Sequence, residues 1–316
     1  MQRNILFIDT VHPSLNRLLE EDGWNCVDGS LWNPEEIMNE ITAFTGIVIR
    51  SRIKIDRQII DKALHLKFIA RAGAGMENID SEYAISKGIK CLNAPEGNRN
   101  AVAEHAMGML LALFNKLVIA DGEVRKGMWQ REENRGLELE GKTVSIIGFG
   151  NTGSSFARKL SSFNCRILAF DPFININREE FPYVEQVEMD AIFKNSDVLS
   201  LHVPLNELTH FLVNGEFIRQ FEKPFYLINT SRGKVVSIND LITFLELKKV
   251  SGAALDVLEF ESLSFENLSS AQLPESFQKL ISFSNVILSP HIAGWTFESH
   301  QKISEVLYYK IANLNL

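Results

Sequence analysis

The sequence predicts an α/β protein made of two Rossmann-like or flavodoxin-like parallel-sheet domains with a cleft between them. Three observations carry that expectation. Short β-branched runs alternate with helical patterns along nearly the whole chain, which is the signature of βαβ units. With 316 residues the chain exceeds the ~250–300 at which a single core usually stops growing. A glycine-rich turn near residue 150 lies at the head of a second α/β series that starts at Lys142.

Taken in order, the first hundred residues supply strands at "NILFID", "WNCVD", "TGIVIRS", "KFIARAG" and "IKCLNA". Helical segments begin between them near Ser14, Pro34, Asp56 and Asn78, and Gly23, Gly46 and Gly88 punctuate the joins. Residues 101–119 are apolar nearly all round, so one buried helix is expected there, packed between domains or against a second subunit. The second series reads as strands at "KTVSIIGFG", "CRILAFD", "DVLSLHVP", "FYLINTS", "SGAALDV" and "NVILSP". A Ser/Glu-rich, partly helical excursion, "LEFESLSFENLSSAQLPESFQKLISFS", interrupts it, and a helix over residues 296–313 closes the chain. Chain crossings near Gly97 and Pro290 divide this into a discontinuous substrate domain, residues 1–97 plus 292–316, and a nucleotide domain, residues 98–291. The two crossings would form a hinge that closes on substrate.

Composition narrows the function. Hydrophobic content of 45% and charged content of 23% are ordinary for a globular protein. A net charge of −8 argues against nucleic acid as a partner. The longest strongly apolar stretch, "AMGMLLALF", is well short of the ~20 residues of a membrane span. "MQRNILFIDT" lacks the apolar core of a signal peptide. Cys26, Cys91 and Cys165 lie far apart, with no ligand spacing, so a reduced cytoplasmic setting and no metal site are expected.

The strongest local signal is "KTVSIIGFGNTGSSFARKL". Gly148, Gly150 and Gly153 stand between an apolar strand and an amphipathic helix, the context a GxGxxG turn needs to bind a pyrophosphate. Gly148 permits the tight turn, Gly150 lets a phosphate approach the helix N-terminus, and Gly153 brings helix and strand together. The next strand ends in Asp171, whose carboxylate suits a free ribose and repels a 2′-phosphate, favouring NAD over NADP.

Three later strands also end in chemistry. Arg232 follows "YLINTS", Asp256 ends "AALD" with Glu261 five residues on, and His291 follows "ILSP". Ligands of open parallel sheets bind outside the carboxyl ends of the strands, so these groups can converge. Each alone has a bland alternative: an ion-paired arginine, a capping aspartate, a solvated glutamate, a histidine with no task. Their order together resembles the D-isomer-specific 2-hydroxyacid dehydrogenase family over nearly the whole chain. "VIRSR", "ARAGAGMENID" and "APEGNRNAVAEHAMGMLLAL" are most similar to its phosphoglycerate dehydrogenase branch.

The resemblance implies that Arg232 holds the substrate carboxylate, a planar group that suits a guanidinium fork. His291 would be the acid/base at the C2 hydroxyl, and Glu261 would orient its ring. It assigns Asp256 to the nicotinamide carboxamide. Asn151, Thr152, His202, Val203, Pro204, Thr209, Thr230, Ser231 and Gly294 would line the rest of the NAD site. On the substrate side it implies Arg50, Ser51 and Asn98. Ala72, Gly73 and Ala74 would present backbone N–H groups as an anion nest. Arg50, Arg52, Arg71 and Arg99 are candidates for a terminal phosphate. The family's proline after the catalytic glutamate is Ser262 here, which leaves Glu259 as an alternative to Glu261.

The resulting expectation is an NAD-dependent oxidoreductase acting on a small 2-hydroxy or 2-keto acid, with 3-phosphoglycerate favoured. Glyoxylate or hydroxypyruvate reduction is the alternative within the family. Further alternatives are a non-catalytic NAD-sensing scaffold on the same fold and a formate or phosphonate dehydrogenase, whose substrate lacks C2. A homodimer is expected, built on the helix after Asn100 and the "GMWQREENRG" arm. No regulatory domain is expected after the last helix.

Overall fold

The computed structural model describes residues 3–261, 274–314 and Leu316. They fall into two compact units, residues 3–99 with 295–314 and Leu316, and residues 100–261 with 274–294.

Unit 1 begins β1 (Asn4–Phe7), α1 (Ser14–Glu21), β2 (Asn25–Asp28), α2 (Pro34–Glu40), β3 (Gly46–Ile49), α3 (Arg57–Lys62), β4 (Phe68–Arg71), α4 (Ser81–Ser86) and β5 (Lys90–Asn93). The five strands form one parallel sheet in the order β2-β1-β3-β4-β5. Ile5, Leu6, Ile47, Val48, Ile49, Ile69 and Ala70 are all buried. Both faces of the central strands are therefore covered, which is why these strands are continuous apolar runs rather than alternating ones. Helices start where side chains cap them: Asn33 accepts from the Glu35 and Glu36 amides, Asp56 from Gln58 and Ile59, and Asp80 from Tyr83.

The next helix differs from the sequence expectation. In place of one buried helix there are two, α5 (Pro95–Phe114) and α6 (Leu117–Val124), bent by 60° at the break. Lys116 adopts a left-handed backbone there, with φ 51°, which an α-helix cannot accommodate. α5 buries Ala103, Ala106, Leu110 and Phe114, whereas α6 buries none of its residues. Among the described residues no single helix is long and apolar enough to cross a membrane.

Unit 2 continues β6 (Thr143–Ile147), α7 (Asn151–Leu160), β7 (Arg166–Phe170), β8 (Val184–Gln186), α8 (Met189–Asn195), β9 (Val198–Leu201), α9 (Gly215–Arg219), β10 (Phe225–Asn229), α10 (Ile238–Glu246), β11 (Val250–Leu255), α11 (Glu275–Ile281) and β12 (Val286–Leu288). All seven strands are parallel, in the order β12-β11-β10-β9-β6-β7-β8. Strand order reverses at β6 and β9, the position where doubly wound sheets open a ligand crevice. β8 has no counterpart in the sequence reading: it is a three-residue edge strand with Glu185 and Gln186 exposed, so it shows no apolar run. Residues 262–273 of the expected Ser/Glu-rich excursion, Ser262 included, lie outside the described residues.

The chain ends in α12 (Phe297–Ala312), which belongs to unit 1 and packs on α1. Lys310 pairs with Glu96 at 2.8 Å. A Cβ at Gly97 would lie 2.6 Å from the Ile303 backbone, so only glycine lets the start of α5 approach this helix so closely.

Candidate active site

The order of the unit 2 sheet lays out the candidate residues. Along the carboxyl edge, from β12 through β11, β10, β9 and β6 to β7, the strands deliver His291, Asp256, Arg232, His202, the glycine turn and Asp171. Groups separated by more than a hundred residues in the chain thus share one edge of one sheet.

The glycine turn has the shape of a dinucleotide cradle. Gly148 has φ +89°, and a Cβ on it would lie 2.4 Å from the His202 carbonyl oxygen; one on Gly153 would lie 2.0 Å from the Gly148 oxygen. Gly150 is different, with no protein atom within 4 Å of its Cβ position. Two glycines are therefore required by protein packing and the third borders open space at the start of α7. Gly150 caps that helix without any side-chain hydrogen bond, leaving first-turn amides, around Asn151 and Thr152, for an anion. Asp171 Oδ2 accepts from the Phe149 amide at 2.8 Å, and Oδ1 accepts from Phe173 and Ile174, which fixes the carboxylate beside the turn.

Around the cradle, His202 is buried against the Phe156 ring, and burial pushes its pKa down to about 3, so it is a neutral wall. Val203 Cγ1 would lie 3.0 Å from a Gly148 Cβ. The Thr209 hydroxyl donates to the Pro204 carbonyl at 2.6 Å and shapes its own loop. Ser231 Oγ donates to Asn229 Oδ1 at 2.8 Å, while Asn229 Nδ2 donates to the Arg232 carbonyl. His202 Nδ1 and Thr230 Oγ1 are buried without a hydrogen-bond partner. Orphaned polar atoms beside an open glycine turn fit a site shaped for a polar nucleotide.

The turn after β12 brings a histidine against a carboxylate. His291 Nδ1 lies 2.7 Å from Glu261 Oε2, and the other Glu261 oxygen accepts from the Leu258 amide. Glu259 points elsewhere: its Oε1 accepts from the Ile238 amide at the start of α10, and burial raises its pKa. His291 itself has φ 55°, a left-handed conformation uncommon for a non-glycine residue. Arg232 donates to the Ser231 carbonyl, and its turn packs so tightly that a Gly233 Cβ would lie 2.0 Å from the Leu258 oxygen.

Asp256 is embedded in hydrogen bonds. Its side chain is 1% exposed. Oδ1 accepts from the Ser289 hydroxyl at 2.5 Å and the Ile292 amide at 2.9 Å, and Oδ2 accepts from the Ala293 amide at 2.8 Å. These bonds tie the carboxylate to the His291 turn. Burial works to raise its pKa, but hydrogen bonds from His105, Ser289 and the two amides outweigh burial and hold it below the usual range.

In unit 1 the loop after β3 is organised by Asp9, whose Oδ2 accepts from the Arg50, Ser51 and Arg52 amides. Asn78 Nδ2 donates to the Arg50 carbonyl. The Arg50 guanidinium stacks 4.3 Å from the Trp295 ring centre, and Trp295 in turn contacts His300. Burial, then Arg50 and His12, lower the His300 pKa. Arg52 is withdrawn from the phosphate candidates, because it donates to the Ile8, Trp32 and Gly29 carbonyls. The nest of three outward amides is not formed either. The Ala72 amide continues the ladder to Ile49, and the Gly73 amide closes back on the Arg71 carbonyl. Asn98 Oδ1 is buried without a hydrogen-bond partner.

Asp9, Asn229 and Ser289 sit at or beside strand ends and carry no residue-type signal of their own in the sequence, where His105, beside Glu104, reads only as a framework or cofactor-wall residue. Among the described residues no cluster of His, Cys, Asp and Glu could hold a metal ion.

Residues 107–293 match the profile described as "D-isomer specific 2-hydroxyacid dehydrogenase, NAD binding domain". The chain is 35% identical over 280 residues to D-3-phosphoglycerate dehydrogenase of Archaeoglobus fulgidus, covering 89% of this chain and 51% of that protein. It is 38% identical over 277 residues to hydroxypyruvate reductase of Thermotoga maritima, covering 88% and 87%. The chain thus spans about half the length of the phosphoglycerate dehydrogenase and most of the reductase. A solved D-lactate dehydrogenase of Aquifex aeolicus, complexed with NAD and lactic acid, superposes with a TM-score of 0.84 at 28% identity, covering 99% of this chain and 95% of that one.

Proposed function

Because the chain belongs to the D-isomer specific 2-hydroxyacid dehydrogenase family, we propose that it is an NAD-dependent oxidoreductase of a D-2-hydroxy acid, with 3-phosphoglycerate the favoured substrate. The carrying observation is the 2.7 Å pair of His291 and Glu261 on the carboxyl edge that also bears Arg232 and the glycine cradle. NAD supplies the two-electron acceptor for the hydrogen on C2. The glycine turn and the α7 N-terminus bind its pyrophosphate, and Asp171 accepts from its ribose. Arg232 binds the substrate carboxylate through its fork of donors.

His291 moves the proton of the C2 hydroxyl. With Nδ1 committed to Glu261, the exchanging nitrogen is Nε2. Glu261 keeps the ring in that orientation and stabilises the imidazolium formed during oxidation. Recognition of the group beyond C2 is assigned to Arg50, Ser51 and Asn98. The partner is a small acid, and a second copy of the chain covers the exposed apolar residues of α6.

A second reading, reduction of hydroxypyruvate or glyoxylate, is favoured by two observations. The reductase relative matches this chain over almost its full length, and Arg52 is unavailable to a phosphate. Steady-state rates with NADH and phosphohydroxypyruvate, hydroxypyruvate, glyoxylate and pyruvate separate the two. The first reading predicts a kcat/KM for the phosphorylated acid at least about tenfold above the others, the worth of ~1.4 kcal/mol. Higher activity on hydroxypyruvate or glyoxylate selects the second. NADH binding with no turnover of any acid overturns both and leaves a nucleotide-sensing scaffold.

A further inference from the structure

We propose that His105 is a positioning residue, which acts through the Ser289 hydroxyl on the Asp256 carboxylate to hold the turn that carries His291. This rests on the assignment of His291 as the acid/base. His105 projects from α5, with Nε2 2.9 Å from Ser289 Oγ and 3.5 Å from Asp256 Oδ1.

The direction of each hydrogen bond follows from counting protons. A carboxylate that is 1% exposed needs donors around it. Ser289 has one hydroxyl proton, and at 2.5 Å from Asp256 Oδ1 that proton belongs to the bond with the carboxylate. Toward His105, Ser289 Oγ can then only accept, so His105 Nε2 carries a hydrogen and donates. Helix α5, the serine and the carboxylate thus form one chain of donors ending on Asp256.

The same carboxylate suspends the turn. Ile292 and Ala293 donate to its two oxygens, and the His291 amide donates to the Asp256 carbonyl at 2.8 Å. His291 can keep its left-handed φ of 55° only while these bonds over-determine it. Without His105 the Ser289 hydroxyl loses the partner that fixes its rotamer. Its alternative acceptor is the Met109 sulfur at 3.8 Å, a weak one. Releasing the serine toward Met109 takes a donor from Asp256 and slackens the turn one residue from the imidazole.

Three variants of the full chain test this: His105→Phe, which keeps a ring but no donor; His105→Gln, which restores an N–H; and Ser289→Ala. Amide exchange at Ile292 and Ala293 is read beside kcat, KM and the NADH dissociation constant. In His105→Phe, exchange at both amides should rise about tenfold and kcat fall about tenfold, the effect of one lost hydrogen bond in a charged network. KM and NADH affinity should stay within about twofold, because the loss is in the proton-transfer geometry alone. His105→Gln should recover most of both. The double variant His105→Phe/Ser289→Ala should be no worse than Ser289→Ala, since the histidine acts through the serine. Wild-type exchange at Ile292 and Ala293 in His105→Phe overturns the inference, as do losses that multiply in the double variant. Exchange needs no substrate, so a wild type without turnover would sink the catalytic assignment while the exchange result still decided the brace.

Discussion

At the residue scale, Glu259 and Glu261 are two positions apart and end in different surroundings, one on the α10 amide and the other on the His291 ring. Glu261→Gln should therefore lower kcat by about 10²-fold, within the range for loss of acid–base support, while Glu259→Gln should leave kcat within about threefold. Steady-state kinetics on the two variants checks this, and an inert Glu261 would remove the pair from the mechanism. The sequence held both acids but not the choice, because the direction of a side chain after a strand depends on the turn backbone. His202 gives a second prediction. Burial holds its pKa at about 3 against an ordinary value of 6.5, so between those values the unfolded chain binds a proton that the folded chain refuses. Its contribution to stability is complete above pH 6.5 and is lost as the pH falls, at up to ~1.4 kcal/mol per pH unit. Urea unfolding of wild type and His202→Gln between about pH 7 and 4 should show the variant losing stability less steeply. Parallel curves would mean that the imidazole is not held neutral.

At the element scale, the glycine turn separates packing from binding. A methyl group at Gly153 would collide with the Gly148 carbonyl at 2.0 Å, whereas one at Gly150 would meet no protein atom within 4 Å. Gly153→Ala should cost about 1–3 kcal/mol of stability, the range for overpacking. Gly150→Ala should leave the melting temperature unchanged and weaken NADH binding about tenfold, as a displaced hydrogen-bonded phosphate would. Fluorescence titration with NADH reads the second effect, and undiminished affinity would mean that no phosphate lies there. This turn was legible from the sequence because glycine spacing, strand and helix have to coincide within twenty residues. The brace toward the β12 end of the sheet was not legible. Asp256, Ser289 and His105 come from three separate elements, and only the parallel order β12-β11-β10 and the packing of α5 bring them together. β8 escaped notice for a simpler reason, since an edge strand with two exposed polar residues has no burial pattern to reveal it.

At the scale of the whole molecule, alternating strands and helices were enough to predict two parallel sheets, because a buried parallel strand has to be apolar on both faces. The same logic failed for residues 115–119. An all-round apolar helix was expected to be buried, yet Lys116 breaks it, and Leu117 and Val118 stand 57% and 60% exposed, with Trp129 at 78%. Apolar side chains that a single chain leaves in water are the usual material of a subunit interface. A second copy of the chain is the occupant proposed here, because the face lies on one short helix and the following arm and needs only a twofold axis to bury itself. Replacing Leu117 and Val118 together with glutamate places charges where apolar area would be covered and leaves the core untouched, since neither side chain is buried. Sedimentation velocity should show wild type at twice the 35.7 kDa chain mass and the double variant at the chain mass. NADH affinity should be unchanged, because neither Leu117 nor Val118 is among the residues that meet the glycine cradle. A wild type that sediments as a monomer at micromolar concentration would leave the exposed helix to some other partner.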